Sequence, residues 1–98
     1  MEASKTWVVE CYVPGVDDLA LQRAADATAG QVQRMGDVAR DVEYLGALLM
    51  AIDEVVLHAF RSPDPDLVRR VSAAAGLPVA RILESVEVLP ASLIRARR

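Results

Sequence analysis

The chain has 98 residues, 53% of them hydrophobic, and a formal net charge of -3; that size makes one domain able to bury a core without disulfides or a structural metal. The acidic balance lacks the basic excess that binding to a phosphate backbone needs, which argues against nucleic acid as a partner. A single cysteine, Cys11, cannot close an internal disulfide, and without a secretory leader or a run of about twenty apolar residues the sequence reads as cytoplasmic, with no membrane partner.

The first element is "TWVVECYV", in which Trp7, Val9, Cys11 and Val13 alternate with Thr6, Val8, Glu10 and Tyr12 before Pro14-Gly15. That pattern predicts a strand closed by a turn. Asp17 then caps a helix running to about Gly36, with Leu21, Ala24, Ala25, Thr28, Val32 and Met35 on one face. The face is narrow and alanine-rich, and small side chains let a helix lie close on a sheet, as a two-layer domain requires. "VEYLGALLMAIDEVVLHAF" holds two apolar segments divided near Ile52-Asp53-Glu54. It reads as a β-hairpin, with one buried helix over Leu45 to Met50 as the alternative.

In "SPDPDLVRRVSAAAG", Asp64 is a helix cap, Pro65 stands in the first turn, Gly76 is the stop, and Leu67, Val71 and Ala74 form the inner stripe. After a short turn at Leu77-Pro78, "RILESVEV" supplies the closing strand. Leu89-Pro90 begins a basic tail in which Arg95, Arg97 and Arg98 read as solvated, with docking on a partner subunit through Leu93 and Ile94 as the alternative.

The order strand, helix, strand, strand, helix, strand predicts an α+β, ferredoxin-like βαββαβ two-layer sandwich with a four-stranded antiparallel sheet. The domain spans residues 1–98, with a core over 6–88 and the tail over 89–98. Both helices cover one face of such a sheet. The other keeps large apolar residues whichever parity points outward, and a contiguous apolar patch of this kind marks a partner surface. A homodimer through the open sheet face, as a dimeric α+β barrel, is the expected assembly.

His58, the single histidine, stands inside the apolar run "EVVLHAF". Such a histidine reads first as a hydrogen-bonded core or interface residue and second as a ligand contact. Cys11 reads as a small buried hydrophobe, since no cationic neighbour in sequence lowers its pKa. The acidic pairs at Asp17-Asp18 and in "PDPD" suit helix N-termini, and Gly30, Gly36 and Gly46 lack phosphate-loop spacing.

Taken together, "VVECYVPG" with its long helix, "VEYLGALLMAIDEVVLHAFRSPD", "VRRVSAAAGLP" and "ILESVEV" resemble the small bacterial nickel-binding-protein-like domains of the DUF4242 group, over roughly residues 6 to 88. The resemblance implies a dimeric ferredoxin-like protein. It sets Glu10 at the group's Glu after the opening valines, and His58 where many members carry a Cys in the third strand. Two histidines of the group have no counterpart: Leu48 or a neighbour, and Val71, stand nearest to them. Nickel or another divalent transition metal is thus the implied cofactor, with His58 and Glu10 as its ligands.

Adjacent central strands can bring Glu10 or Tyr12 opposite His58, which makes Glu10, Tyr12 and His58 the candidate ligand-binding set. Cys11 points to the face opposite Glu10, so the two cannot share one site with His58. The reading that follows is a noncatalytic dimer binding a small ligand or metal. The alternatives are an enzyme resembling the α+β-barrel monooxygenases and a purely structural interaction dimer.

Overall fold

The computed structural model describes residues 4–86. Strand β1 (Lys5–Tyr12) leads into helix α1 (Asp18–Met35) and a 3-10 turn (Gly36–Ala39). Strands β2 (Glu43–Met50) and β3 (Val55–Ser62) follow, then helix α2 (Pro65–Ala74) and strand β4 (Val79–Ser85). The strands form one antiparallel sheet in the order β2-β3-β1-β4. This puts β1 beside β3 at the centre, as the ferredoxin-like order requires. Among the described residues, no helix is long and apolar enough to cross a membrane.

Helix ends follow from local chemistry. The Asp17 carboxylate accepts the Ala20 N–H at 2.8 Å, and that of Asp64 accepts the Asp66 N–H at 2.9 Å, each supplying a partner to a helix N–H that has none within its own helix. At the C-terminus of α2, the N–H groups of Gly76 and Leu77 donate to the carbonyls of Ala73 and Ser72, both at 3.0 Å. This paired closure turns the chain through Gly76 at φ +77°, a conformation that a Cβ would oppose.

The hairpin is present, and the single-helix alternative over Leu45 to Met50 is overturned: Leu48 and Met50 are exposed while Leu49 packs on the core, the period of a strand. Residues 51–54 make its turn, with Ile52 fully extended into solvent. Glu54 adopts φ +55° there. Its carbonyl accepts the Val13 N–H at 2.8 Å and its carboxylate accepts the Gly15 N–H, so the hairpin turn is tied to the loop between β1 and α1.

The core joins Val9 and Cys11 of β1, Val56 and Phe60 of β3, and Val68 and Val71 of α2. All of the expected inner residues of α1 are at least partly buried, Thr28 completely. Of the expected stripe of α2, Val71 is buried and Leu67 packs on the core, but Ala74 is exposed, and Val68 and Ser72 complete the buried set. A helix turns 100° per residue, so moving the buried arc by one position replaces Ala74 with Val68, which removes more apolar surface from water. The closing strand starts two residues before the expected Arg81, at Val79. Its expected end at Val88 and the tail with Leu93, Ile94, Arg95, Arg97 and Arg98 lie outside the described residues.

Ser72 Oγ is buried without a hydrogen-bond partner. Ser72→Ala should therefore leave stability unchanged or raise it by about 1 kcal/mol, whereas Phe60→Ala should cost about 3 to 5 kcal/mol. Urea unfolding of the two variants checks both values.

Candidate functional site

On β3, His58 is paired with Val9 of β1 on one side and Ala47 of β2 on the other. Its ring points beneath the helices and is 1% exposed. The Nδ1 atom lies 2.9 Å from the hydroxyl of Tyr44. The Tyr44 ring in turn packs against His58, with centroids 5.9 Å apart, and against Phe60, at 5.2 Å.

Tyr44 reaches this face because of an irregularity in the ladder. Met50 pairs with Val55 and Ala47 with His58, a progression that would set Tyr44 opposite Arg61 on the open face. The register shifts between Tyr44 and Gly46, and Tyr44 pairs with Phe60 instead. One extra residue turns a side chain to the other side of the sheet. Sequence reasoning missed Tyr44, and the available signal was Gly46, since a glycine inside a strand pattern marks a bulge.

Three titratable groups meet on this face, and burial keeps each uncharged. It lowers the pKa of His58. It pushes the Tyr44 phenol up to about 12, with smaller contributions from Asp26 and Cys11. It pushes the Cys11 thiol up to about 11, helped by the negative charge of Glu10. The Cys11 group is a thiol at neutral pH, consistent with its reading as a small hydrophobe.

Beside His58 lies a cavity of about 180 Å³. Cys11, Val56 and His58 form its floor, Ala20 and Ala24 of α1 its roof, and Leu77 of the loop before β4 closes one side. Ala24, which was expected on the inner face of α1, leaves this space together with Ala20, which was not, because a short side chain fills a gap only if the backbone comes down onto it. Two larger hollows, of about 440 and 550 Å³, are more open clefts bordered by strand ends and surface loops.

The predicted constellation is divided by the sheet. Glu10 and Tyr12 pair with Leu57 and Val55, not with His58. Glu10 lies on the open face, where both carboxylate oxygens accept from the Arg81 guanidinium at 3.1 and 3.2 Å, and Tyr12 is largely exposed. Glu10 and His58 therefore cannot hold one metal ion, because side chains of paired strands share a face only when their positions match in parity. Among the described residues, no three of His, Cys, Asp or Glu form a cluster able to hold a metal. The donor left beside His58 is the protonated Cys11 thiol in an apolar cavity, a set that does not fit nickel or another divalent ion.

No protein-family model matches the sequence, and no curated protein matches it. Its fold is similar to that in the crystal structure of SCO4226 from Streptomyces coelicolor A3(2), with a TM-score of 0.71 at 16% sequence identity, over 86% of this chain and 99% of that one. At this identity the likeness shows the fold.

The lowered pKa of His58 gives a pH dependence with a definite sign. Below the ordinary value of 6.5, the unfolded chain binds a proton that the folded chain does not, so falling pH favours unfolding until the folded pKa is passed. Wild type should lose stability relative to His58→Phe as pH falls from 6.5 towards about 5, read from denaturation midpoints across that range. Glu10→Gln, which removes only an ion pair with an exposed arginine, should change stability by less than about 1 kcal/mol and leave the His58 ring resonances in place by NMR.

Proposed function

We propose that the protein is a noncatalytic binding module that takes a small ligand between its sheet and its helices and works as a homodimer joined through the open sheet face. The observation that carries the ligand reading is the cavity beneath α1, where a buried imidazole faces otherwise apolar walls. A concave apolar site with one placed polar group is the usual form of a small-molecule pocket. At about 180 Å³ it lies below the range of about 300 to 1,000 Å³ typical for drug-sized ligands, so its ligand is small.

Assembly through the open face is supported by the residues found there. Val8, Leu48, Leu57 and Leu83 fall in adjoining register positions, with Leu48 68% exposed. Charges on this face are paired within the chain, Glu10 with Arg81 and Glu43 with Arg61. A second copy laid on the face thus meets little uncompensated charge, as an interface between identical surfaces requires. The hollow on this side, about 280 Å³ and lined by Val8, Leu45, Leu48 and Leu57 among others, has no titratable side chain in its wall. That lining favours assembly over the monooxygenase-like alternative, which needs reactive groups in a cavity on the sheet.

Ligand-detected NMR with a fragment library tests the binding role. Hits should bind wild type and be lost in Ala24→Leu, which fills the cavity; a library with no such hit removes the proposal. For assembly, light scattering on a sizing column should give twice the chain mass for wild type and a single chain mass for Leu48→Lys. A single-chain mass for wild type removes the dimer and leaves the cavity unaffected.

A further inference from the structure

Among the side chains that line the cavity beneath α1, only His58 carries a nitrogen or oxygen atom, with the Cys11 thiol beside it. His58 makes a single hydrogen bond, through Nδ1 to Tyr44, and among the described residues its Nε2 atom has no partner. An imidazole nitrogen is a far stronger acceptor than a phenol oxygen, so between two neutral groups the Tyr44 hydroxyl donates and Nδ1 accepts. The ring proton then resides on Nε2. The ring lines the cavity with Cys11, Val56, Ala20, Ala24 and Leu77.

We infer that the cavity receives a neutral single-ring molecule bearing one acceptor oxygen, a ketone or an ether, that takes the Nε2–H of His58. This rests on the reading of the cavity as a binding site and names the class of its ligand. Size sets the ring: an apolar cavity of about 150 Å³ admits benzene, and this one has about 180 Å³. Neutrality follows from the lining, since an ion drawn in towards His58 would give up part of its hydration and no lining side chain carries a charge to replace it. The acceptor follows from the donor, because a ligand with nothing to offer Nε2–H leaves that group dry and unpaired.

Acetophenone, ethylbenzene and benzoate make a matched set of probes for titration into the full chain, followed by amide NMR shifts. Acetophenone should saturate with shifts centred on Ala20, Ala24 and Leu77. Ethylbenzene should bind about tenfold more weakly, the effect of one hydrogen bond, and benzoate should not bind. In His58→Phe the preference for acetophenone should vanish. Should that variant not fold, the long-range nitrogen–proton spectrum of the wild-type ring gives the same answer, since one histidine makes its assignment unique: Nε2–H is expected, and Nδ1–H overturns the inference. Equal binding of ethylbenzene and acetophenone, binding of benzoate, or capture by the cavity only of fragments from another class overturns the ligand class and leaves the site standing. If none of the probes and no fragment shifts the cavity residues, both readings fall together.

Discussion

The pairing of Val9 with His58 decides what either side of the sheet can do. Strand side chains alternate with a period of two, so this one match sends Val9, Cys11, Val56, His58 and Phe60 beneath the helices and Val8, Glu10, Leu57 and Ala59 to the open side. A slip of one residue in β1 would bury Glu10 and expose Val9. The cost of an unpaired buried carboxylate, added to the loss of apolar burial, makes that alternative far higher in energy. Register is thus held by the core, and the location of the imidazole follows from it.

The order of elements was legible because each boundary carries its own chemistry. Asp17 and Asp64 place acceptors at helix starts, Gly36 and Gly76 allow positive φ at helix ends, and Pro14-Gly15 stops the first strand. The phase of α2 was less clear. Both Leu67, Val71, Ala74 and Val68, Val71, Ser72 fit helical spacing, and a serine in the inner arc is a poor advertisement for burial. His58 could be picked out as a lone imidazole in an apolar run. Its neighbours could not. Pairing Glu10 and Tyr12 with His58 required the parity of two strands that start at Lys5 and Val55, and that parity is set by packing of the whole sheet rather than by either strand. Tyr44 was hidden by the ladder shift before Gly46. The cavity was hidden for a different reason, being made of volume that Ala20 and Ala24 do not fill.

Holding a histidine in this position depends on keeping it neutral. The Tyr44 hydroxyl supplies one hydrogen bond without adding charge, and the same burial that lowers the His58 pKa raises those of Tyr44 and Cys11. The three groups thereby agree on an uncharged state near neutral pH. A helix face of alanines completes the arrangement, since larger side chains there would close the space over the ring.

The tie between Glu54 and the loop after β1 bears on how the molecule is assembled. A glutamate at φ +55° ends the hairpin turn, its N–H donating to the Ala51 carbonyl at 3.3 Å, and its carboxylate bond to Gly15 spans 39 positions of sequence. The turn of the β2–β3 hairpin is therefore held both by its own backbone bond and by the residues that follow β1. The second set of contacts forms only when the segment containing α1 is closed into a loop, so that part of the turn's stabilisation is offset by the entropy of closure. Val13 and Val16 of the loop after β1 also line the cavity, so the contact that holds the hairpin turn holds one wall of the site as well.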